Sequence, residues 1–240
     1  MKSAKKKYLT WPDIDRYLKK HPEDAGIIIP IGPVEEHGPH LPVTSDIITA
    51  EAMANLAVEG THYLVFPSIP LMVCGISKEV SGTYSIEPET LHLITRDLVN
   101  QLAKKGFRKI LFFTGHGGYS MIVVRKAIAE VHEMLPGVRF KADVMNFEEA
   151  CPHQAQIVGV DDRDLHAAGT EVPRVQFLCH NSVKFPLPTA DYHGKDENGK
   201  LVLSKSGICG DPQKATWEKG RIICEYTARV MRKWLRKPLS

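Results

Sequence analysis

The sequence predicts a single-domain α/β fold with a mainly parallel central sheet flanked by helices on both faces. Three observations carry the prediction. Short apolar runs bounded by turn residues recur, most plainly Gly26-Ile27-Ile28-Ile29-Pro30-Ile31 and Lys109-Ile110-Leu111-Phe112-Phe113-Thr114. Segments with helical spacing separate them, and strands alternating with helices assemble into parallel sheets. No repeat or low-complexity linker divides the 240 residues, so one domain spanning 1–240 is expected.

Taken in order, 26–31 reads as a buried strand and 47–58 as a helix, with Ser45 or Asp46 available to cap it. Residues 63–67 read as a second strand and 71–87 as a long loop. Pro88 opens a helix to about residue 105, with Leu91, Ile94, Leu98 and Leu102 marking its buried face. The strand at 109–114 leads through Gly115-His116-Gly117-Gly118 into an amphipathic helix over 119–135, stopped by Pro136-Gly137. A strand follows at 138–145. A helix starts near Ala168 with Pro173 in its first turn, 191–206 forms a loop or hairpin, and 216–235 is a final long helix.

Composition narrows the function. Hydrophobic content of 43% and charged content of 25% are ordinary for a globular protein. A net charge of +3 with dispersed basic residues argues against nucleic acid, and the Lys2–Lys7 run reads as a solvated tail. Five scattered cysteines without Cys-x-x-Cys spacing argue for a reducing compartment. No apolar run reaches membrane-spanning length and the N-terminus lacks a signal-peptide apolar stretch, so a cytoplasmic protein without a membrane partner is expected.

Chemistry concentrates in Glu35-Glu36-His37-Gly38-Pro39-His40-Leu41-Pro42-Val43-Thr44-Ser45-Asp46. Pro39 and Pro42 exclude a helix, so these ligand types sit on a loop leaving a strand end, where open α/β sheets keep their chemistry. In extended chain Glu35 and His37 point to one side, and Asp46 lies far enough along to curl back. The Gly115–Gly118 turn has three readings: it presents His116 as a ligand, cradles a phosphate, or merely turns tightly. Asp161-Asp162-Arg163-Asp164-Leu165-His166-Ala167-Ala168-Gly169-Thr170-Glu171 reads either as a ligand loop or as an acidic surface loop whose Glu171 stabilises a helix start. Together, Glu35, His37, Asp46, His116 and Glu171 supply the mixed His and carboxylate set that two divalent ions need, with His40 and His166 nearby. No thiol joins them, which favours zinc, manganese or iron(II).

These residues carry a resemblance. Gly32-Pro33-Val34-Glu35-Glu36-His37-Gly38-Pro39-His40-Leu41-Pro42 with Asp46 resembles the signature of the creatininase (creatinine amidohydrolase) family. Gly115–Gly118, Leu165–Glu171, and Gly210-Asp211-Pro212 with Ala215–Gly220 are similar to its later motifs, in the same order. The resemblance implies a creatininase-like α/β fold, a two-metal site with zinc as the first choice, a small-molecule substrate, and a homo-oligomer, commonly a hexamer. It implies Glu35, Asp46 and His116 around one ion and His37, Asp46 and Glu171 around the other, with Asp46 bridging. Creatininase proper has a glutamate where Gly118 stands, and Glu171 is the available substitute. The family usually has Gln at Glu36, Gly-Thr before Asp46, and asparagines at Thr114 and Tyr119. It closes over creatinine with tryptophans near the third motif, whereas Trp11, Trp217 and Trp234 lie elsewhere in the sequence. Creatinine is therefore not the expected substrate.

The resulting expectation is a metal-dependent amidohydrolase that cleaves a cyclic amide or formamide C–N bond, not a peptide bond, with a metal-bridged hydroxide and His166 as proton shuttle. His166 has a second reading as a supporting residue, and His40 reads as structural. The alternatives are a hydrolase opening a cyclic keto-sugar and a non-catalytic ligand-binding protein on the same fold. Lys195, Lys200 and Lys205 either meet a substrate phosphate or form a solvated loop.

Overall fold

A computed structural model describes residues 9–239 apart from Asp196 and Lys200. The Lys2–Lys7 run lies outside the described residues. Four parallel strands form the central sheet: β1 (Gly26–Ile31), β2 (Leu64–Val65), β3 (Lys109–Thr114) and β4 (Lys141–Met145), in the order β2-β1-β3-β4. All six residues of β1 and of β3 are buried, as continuous apolar runs between two helical layers must be.

Alternate strand residues feed two cores. Ile27, Ile29, Ile31, Ile110 and Phe112 pack with α1 (Trp11–Lys20), α3 (Pro88–Lys104) and α4 (Tyr119–Met134). Ile28, Leu111 and Phe113 pack with α2 (Ser45–Val58), two short helices α5 (Phe147–Ala150) and α6 (Gln154–Val158), and α8 (Trp217–Arg236). α7 (Glu171–Leu178) packs against α8, where Gly220 lets the helices meet: a Cβ there would lie 1.9 Å from the Pro173 carbonyl oxygen. A two-stranded antiparallel hairpin, β5 (Gly194–Lys195) and β6 (Leu201–Val202), realises the hairpin option for 191–206.

Some boundaries differ from the sequence reading. β2 has two residues rather than five; beyond it, Pro30 of β1 has no N–H for the ladder. β4 starts at Lys141 rather than 138. The cap of α2 is Thr44, with Asp46 inside the first turn. The buried face of α3 runs through Leu91, Thr95, Val99 and Leu102, leaving Ile94 and Leu98 only half-buried. α1, α5 and α6 were not expected; α5 and α6 are too short to display a period, and α1 buries no residue fully.

Candidate metal centre

The strand order reverses at β1, since β2 lies on one side of it and β3 on the other. The crevice beyond the carboxyl ends of β1 and β3 is the switch point where such sheets bind ligands. The loop after β1 brings Glu35 and His37 there, the turn after β3 brings His116, and the first turn of α2 brings Asp46. Two glycines permit the approach. A Cβ on Gly115 would lie 2.7 Å from Asp46 Cα, and one on Gly32 would lie 2.9 Å from Asp46 Cβ. Glu171, at the start of α7, closes the group.

The five side chains converge around the two oxygens of Asp46. Asp46 Oδ2 lies 3.5 Å from His116 Nδ1, which is 3.0 Å from Glu35 Oε2. Asp46 Oδ1 lies 3.6 Å from His37 Nε2, itself 3.6 Å from Glu171 Oε2. The backbone holds both imidazoles by their far nitrogens. His37 Nδ1 donates to the Glu35 carbonyl (3.1 Å), and His116 Nε2 donates to the Val73 carbonyl (3.2 Å). A carbonyl only accepts, so each neutral ring turns a bare lone pair toward the carboxylates.

Two buried carboxylates, Glu35 and Asp46, and the partly buried Glu171 face two lone pairs and demand positive charge. Glu35 Oε2 and Asp46 Oδ2 have no hydrogen-bond partner. Burial pushes the Asp46 carboxyl up, but charged His37 and His116 more than offset this and hold it well below the carboxylate range. Burial disfavours charge on His37, yet Asp46 and Glu171 raise its pKa to about 10. His116 is raised against burial by Asp46 and Glu35. Protons thus neutralise the cluster when nothing else does, and divalent ions fit the same positions in their place. Glu35, Asp46 and His116 form one group that could hold a metal, and His37, Glu171 and His166 another.

Supporting contacts fix the ligands. Ser77 donates to Glu35 Oε1. Glu171 Oε2 accepts from the Ala167 N–H (2.6 Å), while Arg174 Nη2 holds Oε1 at 3.2 Å. Asp164 accepts from the N–H groups of Gly169, Thr170 and Asp211 and fastens the third motif. Ser77 gave no sequence signal, because its loop has no periodicity. Arg174 had one: it lies three residues past Glu171 on one helix face.

His166 lies at the rim of this cluster. Its Nε2 donates to the Glu36 carbonyl (2.8 Å) beside Glu36 Oε1 (3.2 Å), and its Nδ1 is 3.9 Å from Glu171 Oε2. His40 is buried with neither ring nitrogen hydrogen-bonded. A cleft of about 1250 Å³ opens over the centre, lined by Glu35, His37, His116, His166 and Glu171 among others. The hairpin turns His193, Val202 and Leu203 into it; Lys195 and Lys205 are not in the lining, and Lys200 lies outside the described residues. No described tryptophan lines it either.

The family model described as creatininase (creatinine amidohydrolase) matches residues 7–235. The mycofactocin precursor peptide peptidase of Mycobacterium tuberculosis (strain ATCC 25618 / H37Rv) is 25% identical over 228 residues, covering 88% of this chain and 86% of that protein. The creatinine amidohydrolase of Pseudomonas putida is 25% identical over 146 residues, 58% of this chain and 55% of that protein. Among solved structures, a manganese form of creatininase superposes with a TM-score of 0.81 at 20% identity, covering 95% of each chain. A mutant creatininase of Zn-Zn type superposes with a TM-score of 0.80 at 20% identity and the same coverage. These superpositions establish a shared fold, and with the match across nearly the whole sequence the chain belongs to the creatininase family, whose members are hydrolases.

Proposed function

We propose that this chain is a metal-dependent amidohydrolase that cleaves an amide C–N bond at two divalent ions held by Glu35, His37, Asp46, His116 and Glu171. The observation that carries it is Asp46, which turns one oxygen toward each of two His and carboxylate pairs, while backbone carbonyls fix both imidazoles. Ions bound there supply Lewis acidity toward the amide carbonyl and acidify a bound water toward neutral pH. Zinc is the first choice for this nitrogen and oxygen set, with manganese or iron(II) as the other candidates.

The protein's own residues do the rest. The Glu35 and Val73 carbonyls aim the two rings and fix the tautomer of each neutral imidazole, so that bound ions would meet a lone pair in place of a proton. Ser77 and Arg174 fix the outer oxygens of Glu35 and Glu171. His166 has its Nε2 proton tied to the Glu36 carbonyl, which leaves Nδ1 to take a proton from the nucleophile and return it to the leaving nitrogen.

The relatives' names fit C–N hydrolysis, one being a peptidase and another an amidohydrolase. The cleft of about 1250 Å³ exceeds what a small ring fills and favours a substrate with a substantial group beyond the scissile amide. A cyclic amide, a formamide and a peptide amide are the classes to screen. No observation favours the keto-sugar alternative, and of the described hairpin lysines neither Lys195 nor Lys205 lines the cleft to meet a substrate phosphate. A homo-oligomer, a hexamer by resemblance, belongs to this reading and is checked by light scattering.

The test is metal content per chain, measured on protein purified without chelator and after supply of zinc, manganese or iron(II). About two ions in wild type, both lost in Asp46→Asn together with amide turnover, is the expected result. Metal-free wild type, or an Asp46→Asn protein that keeps both ions, sinks the reading.

A further inference from the structure

The hairpin carries into the cleft an imidazole that the metal centre does not use. His193, the residue before β5, lines the cleft. Its Nδ1 accepts from the Ser204 N–H at 3.2 Å. An N–H only donates, so Nδ1 keeps its lone pair and the ring proton sits on Nε2. Burial lowers the pKa of this histidine, which leaves the ring neutral near pH 7. Nε2 meets no described acceptor and, unlike both nitrogens of His40, is not closed off from solvent. His193 thus offers the cleft one neutral N–H donor.

The fold fixes this ring relative to the reacting side chains. Cys209 pairs with His166 through two backbone hydrogen bonds of 2.8 and 3.2 Å, and its Sγ accepts from the His193 N–H at 3.5 Å. The ring centroids of His166 and His193 are 6.3 Å apart. Leu165 and Leu203 line the cleft as well, one beside His166 in sequence, the other across the hairpin from His193. A single placed polar group among apolar side chains is the pattern that orients a ligand. The charge of the lining decides what this donor meets. Glu79, Glu148, Asp161 and Asp162 line the cleft outside the metal centre. Lys78 is the one lysine or arginine among the described lining residues, and it lies 3.7 Å from Glu79. A neutral donor in such surroundings suits an uncharged acceptor, because a carboxylate would be repelled.

We infer that His193 is a substrate-binding residue whose Nε2–H donates to a second, uncharged carbonyl oxygen near the scissile amide. The substrate class is then a molecule with two carbonyls, such as a diamide or a short peptide. The inference rests on the amidohydrolase reading for the first carbonyl, which the metal centre takes.

Three ligands test it: N,N-dimethylmalonamide, N,N-dimethylsuccinamide and N,N-dimethylglutaramide, whose dimethylated amide only accepts. Each is paired with the alkanamide in which a methyl group replaces that dimethylated amide. Calorimetry on zinc-loaded protein is expected to show one spacing at which the diamide binds roughly tenfold more tightly than its partner. His193→Phe, which keeps a ring but has no donor, should abolish that preference at unchanged zinc content. In the unmutated protein the same diamide should shift the nitrogen NMR signal of His193 Nε2 and leave that of the exposed His180 in place. The subsite is overturned if no spacing prefers the diamide, if the preference survives His193→Phe, or if the His193 signal does not move. It is equally overturned if the half-acid, with a carboxylate in place of the dimethylated amide, binds more tightly than the diamide. N,N-Dimethylacetamide titrated onto Asp46→Asn separates the two readings. A His193 shift there keeps the subsite even where the metal reading has failed. No diamide preference in a protein that holds two ions and turns over amides sinks the subsite alone.

Discussion

The two edges of the central sheet gather the same kinds of side chain and arrange them differently. At the carboxyl edge, His37 and His116 face Asp46 across 3.6 and 3.5 Å, each ring held from behind by a backbone carbonyl. At the amino edge, His62 and His21 face Asp24 across 3.2 and 3.6 Å, and their nitrogens also cluster closely enough to suggest a metal. The rings of His21 and His62, however, are stacked at 4.1 Å and 6° from parallel. An imidazole lone pair lies in its ring plane, so a shared ion must lie in both planes, and parallel stacked planes do not meet. Burial lowers the pKa of His62 in spite of the neighbouring Asp24. Ligand proximity is thus a weak criterion, and ring orientation decides.

The largest effect expected from this contrast is on metal content. His116→Ala should lose the ion between Glu35 and Asp46, and His37→Ala the other, while His62→Ala keeps wild-type stoichiometry by elemental analysis. A His62→Ala protein that loses metal would break the comparison. Next in size is Arg174→Met, which frees Glu171 Oε1 and leaves Glu148 without its buried cation. Its expected cost is about 10–100-fold in affinity for the Glu171-side ion, read by competition with a chelator. His166→Ala should lower kcat about 10²–10⁴-fold with both ions retained; loss of an ion instead would move His166 into the ligand set.

Most of the fold was legible in the sequence, as was the set of five side chains that converge at the carboxyl edge, for a physical reason. Strands buried on both faces read as unbroken apolar runs, and the loop after β1 is marked by prolines and ligand-type residues over twelve positions. Glu35, His37, Asp46, His116 and Glu171 could be chosen because each stands at the mouth of a predicted element. What was missed depends on tertiary placement. Ser77 reaches Glu35 from a loop 42 positions away, and His193 comes near His166 only because Cys209 holds both segments. The amino-edge trio shows the converse: its residues look like ligands, and only ring geometry rejects them.

Glycine substitution sharpens the comparison at the level of backbone approach. Gly115→Ala puts a Cβ 2.7 Å from Asp46 Cα and 2.8 Å from both Asp46 Oδ1 and Thr49 Oγ1, so α2 must shift away from the strand end. A stability loss of about 1–3 kcal/mol in denaturant unfolding is expected, with weakened metal binding. Gly137→Ala, where a Cβ meets nothing within 4 Å, is the control and should change neither.

The smallest effect concerns His40, which sits under the carboxyl-edge loop and close to Gly38. Burial lowers its pKa to about 4, against an ordinary value of 6.5. The unfolded chain therefore binds more protons between those values, and ∂ΔG/∂pH is positive there. The contribution of a neutral His40 is fully present above pH 6.5, falls as the pH drops toward 4, and is flat below. Between pH 7 and pH 5 the loss should be about 2 kcal/mol. His40→Gln keeps a polar side chain that does not titrate, so its unfolding free energy should lose that much less over the same interval. Measuring both proteins with chelator present keeps metal release from the neighbouring centre out of the slope. An unchanged slope in His40→Gln would mean that His40 reaches water or a proton acceptor in the folded state, and the carboxyl edge would then be a wetter place than its buried ligands imply.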